Sequence, residues 1–196
     1  MQKTRVKALS AGHGGKNMGA ASSVAPVWEK EITLRHAESA LARDPSFLML
    51  RVGDAFISHS ERNAVANASG AELVIELHCD STPWAPSQHG LHAYYRDGDT
   101  VARALCKYAV GAAPGMLRGG SAICAYDNPK KTSDDWKKRA QSVVESYDAH
   151  CVLLELGYLS NINDMKYLQS DTGLAACSRL ILEIAARYDL IMEKIR

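Results

Sequence analysis

The 196-residue sequence has no surplus of charge of either sign: 23 lysines and arginines stand against 22 acids, a formal net charge of +1. A near-neutral chain has no bulk electrostatic pull toward nucleic acid or an anionic membrane surface, so neither partner is expected. It also lacks any C-x-x-C pair. Its five cysteines, Cys79, Cys106, Cys124, Cys151 and Cys177, form an odd set that speaks against a disulfide framework and a thiolate zinc site, and reduced, mostly buried thiols are expected. Nowhere do about 18 apolar residues run together, and the basic start MQKTRVKALSAGHGG lacks the apolar stretch of a secretory signal. The expectation is synthesis and folding in the cytoplasm without a signal peptide, and no stable membrane insertion. Repeats and low-complexity linkers are missing too, so one domain over residues 1–196 is expected.

What is present is an alternation of short β-like runs with amphipathic helical segments, the pattern of a mostly parallel α/β sheet flanked by helices. Strands are expected at Arg5–Ala11, Phe47–Val52, Glu72–His78, Leu91–Arg96 and Cys151–Leu156. Helices are expected at Glu29–Arg43, halting before Asp44-Pro45, and at Ser58–Ser69, with Ser58 or Ser60 as N-cap and Gly70 as stop. Further helices are expected at Val101–Val110 and Leu174–Ile195. The run Gly111–Gly120 reads as a surface loop and Asp127–Arg139 as a solvated loop with a short helix.

Three polar side chains stand at the ends of apolar strands: His13 in SAGHGGKNMGA, His78 in ELVIELHCDS and Glu155 in CVLLELGYLSN. Ligands of open α/β sheets bind beyond the carboxyl ends of the strands, so these three could converge although distant in sequence. The glycines around His13 make neither a G-x-G-x-x-G nor a G-K-[ST] phosphate loop, which leaves metal ligation as the better use of that imidazole. Two neutral imidazoles, His13 and His78, suit zinc, and a third ligand is then needed. Glu29 and Glu31 both open a helix, where a carboxylate also serves the helix dipole, and composition does not choose between them. Glu155 sits among Val and Leu, surroundings that disfavour the charged form and suit a proton carrier.

These blocks resemble the zinc-dependent N-acetylmuramoyl-L-alanine amidases, which cut peptidoglycan between the lactyl group of muramic acid and the first L-alanine. SAGHGGKNMGA resembles the block of the first strand, WEKEITL the EK block, ELHCDS the block of the third ligand and LLELGYLSN the block of the catalytic glutamate. SERNAVANASGAEL is similar to the helix and strand that precede the third ligand. The resemblance implies His13, Glu29 and His78 as Zn2+ ligands, choosing Glu29 over Glu31, and Glu155 as the catalytic carboxylate. Departures are Ser10-Ala11 where members commonly carry Asp-Pro, and Cys79-Asp80 where small or amide residues are usual. From Gly111 to Tyr147, Trp136 included, nothing aligns, and substrate selectivity is expected there.

The implied reaction has a zinc-activated water attack the lactyl carbonyl while Glu155 takes its proton and passes it to the alanine nitrogen. Peptidoglycan or a muropeptide is the implied substrate. His36, His59, His89, His92 and His150 are expected to be structural or surface groups, and Trp84 either stacks on substrate or packs on its own domain. Another zinc amidohydrolase or peptidase, and an inactive wall-binding module, are the rival readings. Without a leader or a separate wall-binding domain in view, the expected setting is lysis, with release to the wall through a membrane lesion.

Overall fold

The computed structural model describes residues 5–124 and 135–195. Its strands, β1 (Val6–Ala11), β2 (Leu48–Met49), β3 (Ala71–Asp80), β4 (His92–Tyr95), β5 (Ala122–Cys124) and β6 (His150–Tyr158), form one sheet in the order β2-β1-β3-β6-β4-β5. Every neighbouring pair runs parallel except β4 against β6. The helices are α1 (Glu29–Arg43), α2 (His59–Ala68), α3 (Thr100–Gly111), α4 (Asp135–Ser146), α5 (Ile162–Gln169) and α6 (Asp171–Ile195). The mostly parallel α/β sheet flanked by helices expected from the periodicity is therefore observed.

Side chains alternate across the central strands and build two apolar layers. Leu73, Ile75 and Leu77 of β3 and Val152, Leu154 and Leu156 of β6 face the larger layer, beneath α1, α3 and α6. Val74 of β3 and Cys151 and Leu153 of β6 face the smaller one, beneath α2 and α4. All five cysteines are buried and free; Cys79, Cys106 and Cys177 lie in the larger layer and Cys151 in the smaller. Among the described residues no helix is long and apolar enough to cross a membrane.

Local signals explain the helix limits. Ser58 caps α2 through a reciprocal pair with Glu61, its hydroxyl accepting from the Glu61 N–H while that carboxylate accepts from the Ser58 N–H, and this settles Ser58 over Ser60. Gly70, at φ +67, follows it in the left-handed region that ends helices. Helix α1 has the limits read from the sequence, because Asp44 precedes Pro45.

Other limits differ. The strand expected at Phe47–Val52 shortens to Leu48–Met49, because Arg51 turns its side chain inward under the end of β1 instead of continuing along the sheet edge. Within the expected spans His78 pairs with Glu155, and both β3 and β6 run on past the expected ends to pair, after a register shift, Asp80 with Tyr158. Helix α5 was not expected; Asn161 caps it by accepting from the N–H groups of Asn163 and Asp164. The Gly111–Gly120 run is not all surface, since a short 3-10 turn at Gly115–Leu117 delivers Leu117 to the core. The expected loop over Asp127–Arg139 falls mostly outside the described residues, as does the side chain of Trp136.

Candidate metal centre

The centre begins where β1 ends. His13 holds a left-handed backbone, φ +63, a conformation costing a non-glycine residue about 1–2 kcal/mol. Two buried arginines hold it there. Arg62 donates to the carbonyls of Ala11 (2.6 Å) and His13 (2.7 Å) and to the Ser10 hydroxyl (2.7 Å). Arg51 donates to the carbonyls of Ala11 (2.8 Å), Gly12 (3.1 Å) and Lys30 (2.9 Å). Lys30 adds an outer tie, donating to the Gly15 carbonyl and to Asp54, whose carboxylate also accepts from the Gly15 N–H.

Close packing around the three side chains demands glycine at positions 12 and 19. A Cβ on Gly12 would lie 2.6 Å from Cε1 of His78 and 2.7 Å from the Leu77 carbonyl oxygen. One on Gly19 would lie 2.5 Å from Oε2 of Glu29 and 2.6 Å from the His13 ring. The absent side chains are what let His13, Glu29 and His78 approach one another.

Glu29, in the first turn of α1, is the hub. Its Oε2 lies 2.9 Å from Nε2 of His13 and accepts from the Ala20 N–H at 2.7 Å. Its Oε1 lies 2.9 Å from Nδ1 of His78 and accepts from the Cys79 N–H at 2.9 Å. The two imidazoles stand edge to face with centroids 5.1 Å apart. One ligand atom from each of the three residues lies within 4.8 Å of the other two, and Glu29 is 3% exposed. Glu31, two residues on, is exposed, so the structure separates the two carboxylates that composition left equal.

Burial works to raise the Glu29 carboxyl, but the hydrogen bonds and charges of His13 and His78 outweigh it and hold the group well below the usual carboxylate range. Burial likewise opposes a charge on His13, yet Glu29, helped by Asn17, raises it above 6.5. Asn17 Oδ1 lies 3.0 Å from Nδ1 of His13, fixing the ring so that Nε2 is the atom turned to Glu29. Two nitrogens and one carboxylate, with the outer nitrogen of His13 already engaged by Asn17, are the donor chemistry of a three-ligand site for a borderline divalent ion such as zinc.

Glu155 of β6 is in register with His78 of β3 on one side and with His92 of β4 on the other. Residues in direct register share a face about 4.8 Å apart, so the carboxylate stands next to the His–Glu–His set. His92 packs its ring edgewise on Tyr158 at 5.8 Å and accepts from the Ser121 N–H. Among the remaining histidines, His36 is buried against the Leu168 carbonyl, His150 pairs with Asp99, and His59 and His89 are exposed. Trp84 is 84% exposed in the segment after β3, so it does not pack on its own domain. The sequence reading missed Arg51, Arg62, Asn17 and the buried Glu76, whose carboxylate accepts from the Tyr147 hydroxyl. Only Arg62 left a trace, since with Ala66 four residues on it forms the buried face of α2.

A parallel sheet that gathers two imidazoles and two carboxylates at its carboxyl edge has the build of an α/β enzyme domain. Comparison makes this specific: residues 8–186 match the family described as N-acetylmuramoyl-L-alanine amidase, and the chain belongs to that family. AmiB of Haemophilus influenzae, named Probable N-acetylmuramoyl-L-alanine amidase, is 35% identical over 90% of this chain. The chain spans about half of that relative's length, 50%. The fold is shared with the amidase AmiC2 of Nostoc punctiforme (TM-score 0.78, 20% identity, 94% of this chain and 96% of that one). It is shared also with the catalytic domain of the amidase CwlV from Bacillus (Paenibacillus) polymyxa var. colistinus (TM-score 0.76, 21% identity, 94% and 98%).

Proposed function

We propose that this chain hydrolyses the amide bond between N-acetylmuramic acid and L-alanine in peptidoglycan, with His13, Glu29 and His78 holding Zn2+ and Glu155 carrying the proton. The supporting observation is the convergence of the three ligand atoms within 4.8 Å, with Glu155 in register beside His78, in a chain of the amidase family. Bound zinc supplies Lewis acidity toward a carbonyl oxygen and lowers the pKa of water to about 7.

The chain supplies the rest. His13, set by Asn17, and His78, set against Glu29, present fixed nitrogens, so little reorganisation accompanies binding. Glu155 takes the proton of the attacking water as the lactyl carbonyl is attacked, then returns it to the alanine nitrogen as the C–N bond breaks. A neutral amine leaves far more easily than an amide anion, so proton delivery is the step that a missing carboxylate would stop. The proposed setting is lysis, the enzyme reaching the wall through a membrane lesion.

The experiment measures zinc content together with hydrolysis of purified sacculi and of a muramyl peptide, for the wild type, His78→Ala and Glu155→Ala. Glu155→Ala is expected to keep zinc and lose turnover, and His78→Ala to lose both. Full activity in Glu155→Ala, or cleavage of plain peptides as readily as of the muramyl peptide, would sink the assignment. The lytic setting is tested by expressing the chain in bacteria with and without a pore-forming protein: lysis is expected only with the pore.

A further inference from the structure

Two residues before His78, on the same face of β3, lies Glu76, which is fully buried at 0% exposure. The same face carries Ala8, Val74, Cys151, Leu153 and Tyr94, an apolar layer in which a carboxylate is costly unless its oxygens find partners. One is satisfied, since Oε1 accepts a hydrogen bond from the Tyr147 hydroxyl. The other, Oε2, is buried without a hydrogen-bond partner, and so is Nε2 of His78. These two orphaned atoms face each other at 3.8 Å, too long for a hydrogen bond but with nothing else for either to bond.

We propose that Glu76 is a positioning residue for His78: its Oε2 accepts the Nε2–H, which leaves Nδ1 as the nitrogen offered to the metal, and Tyr147 holds Glu76 in turn. The inference rests on the ligand set proposed above. Nδ1 is already the atom 2.9 Å from Glu29, so the ring needs no turn. A contraction of about 1 Å converts the 3.8 Å approach into a charge-assisted bond of ordinary length. A ligating imidazole whose second nitrogen donates to a carboxylate is fixed in tautomer and orientation and is a better donor. This accounts for a carboxylate in a layer that any aliphatic residue would fill more cheaply. The relay runs Tyr147, Glu76, His78, from the end of α4 through β3 to the centre.

The test compares zinc affinity, by competition with a chromogenic chelator, for the wild type, Glu76→Gln and Tyr147→Phe. Glu76→Gln is expected to bind zinc about 10- to 100-fold more weakly, and Tyr147→Phe to show a smaller loss. In wild type loaded with the NMR-active isotope of cadmium and labelled at histidine nitrogens, the metal should couple to Nδ1 of His78 while Nε2 carries a proton. A zinc affinity of Glu76→Gln within about twofold of wild type, or metal coupling to Nε2, overturns the proposal. Should Glu76→Gln fail to fold, the wild-type spectrum decides alone. A wild type that binds no zinc would sink the ligand set and this inference together; zinc binding indifferent to Glu76 sinks only the latter.

Discussion

Arg62 donates to the backbone carbonyl of His13 at 2.7 Å across a separation of 49 residues, so a side chain on α2 sets the conformation of a turn at the far end of β1. Its Nη1 reaches Ser10 and Ala11, and its Nε the carbonyl of Ile57. A lysine ammonium has no fork and cannot make these bonds together. Arg62→Ala should destabilise the fold by about 2–4 kcal/mol, since the Ser10 hydroxyl and the carbonyls of His13 and Ile57 lose this donor while Ala11 keeps Arg51, and should weaken zinc binding; Arg62→Lys should recover only part. Urea melts and chelator competition measure both, and an unchanged zinc affinity in Arg62→Ala would show that the turn holds itself.

Gly12 passes so close to His78 that a methyl group would meet the ring at 2.6 Å. Gly12→Ala is expected to cost about 1–3 kcal/mol by overpacking and to leave the purified protein with substoichiometric zinc. Metal analysis beside a thermal melt checks it.

Glu29 and Glu31 share the first turn of α1, but only Glu29 points into the centre. Zinc should therefore raise the melting temperature of wild type and of Glu31→Ala, since an ion bound to the folded state alone stabilises by mass action. The rise should vanish in Glu29→Ala, and chelator should reverse it in the other two. An equal rise in all three proteins would place the ion elsewhere.

His36 gives a pH dependence remote from the centre. Burial pushes it from 6.5 down to about 4 although the Leu168 carbonyl accepts from its ring. The unfolded chain then binds the proton first as pH falls, so this stability is present above pH 6.5 and is lost as pH drops toward 4. The span is worth about 3 kcal/mol. Urea denaturation at several pH values should show a shallower acid-side decline in His36→Gln than in wild type.

Sequence periodicity located α1 to the residue, because an amphipathic run ended at Asp44-Pro45, and it found β3 and β6 because aliphatic runs with few breaks read the same wherever they fold. It placed His13, His78 and Glu155 at one edge from the parallel order of the sheet. Short, polar elements escaped it: α5 is eight residues long and depends on the Asn161 cap. Arg51 escaped for another reason. Pattern shows which face a residue occupies but not which distant carbonyl its side chain meets, and Arg51 broke an apparent strand to reach Ala11. Glu76 was hidden inside ELVIELH, where one carboxylate in an aliphatic run looks like any edge residue until its neighbours are known.

Among the described strands of the sheet, the one antiparallel junction, β4 against β6, decides where the loop of residues 81–91 is anchored. Since β4 starts at the sheet edge where β3 stops, both ends of that loop are pinned to the rim that carries Glu155, and Trp84 stands exposed between them. Insertions there leave strand register untouched and alter only what the rim can grip. A designer wishing to change what this rim holds has a graft site whose two stumps already flank His78 and Glu155.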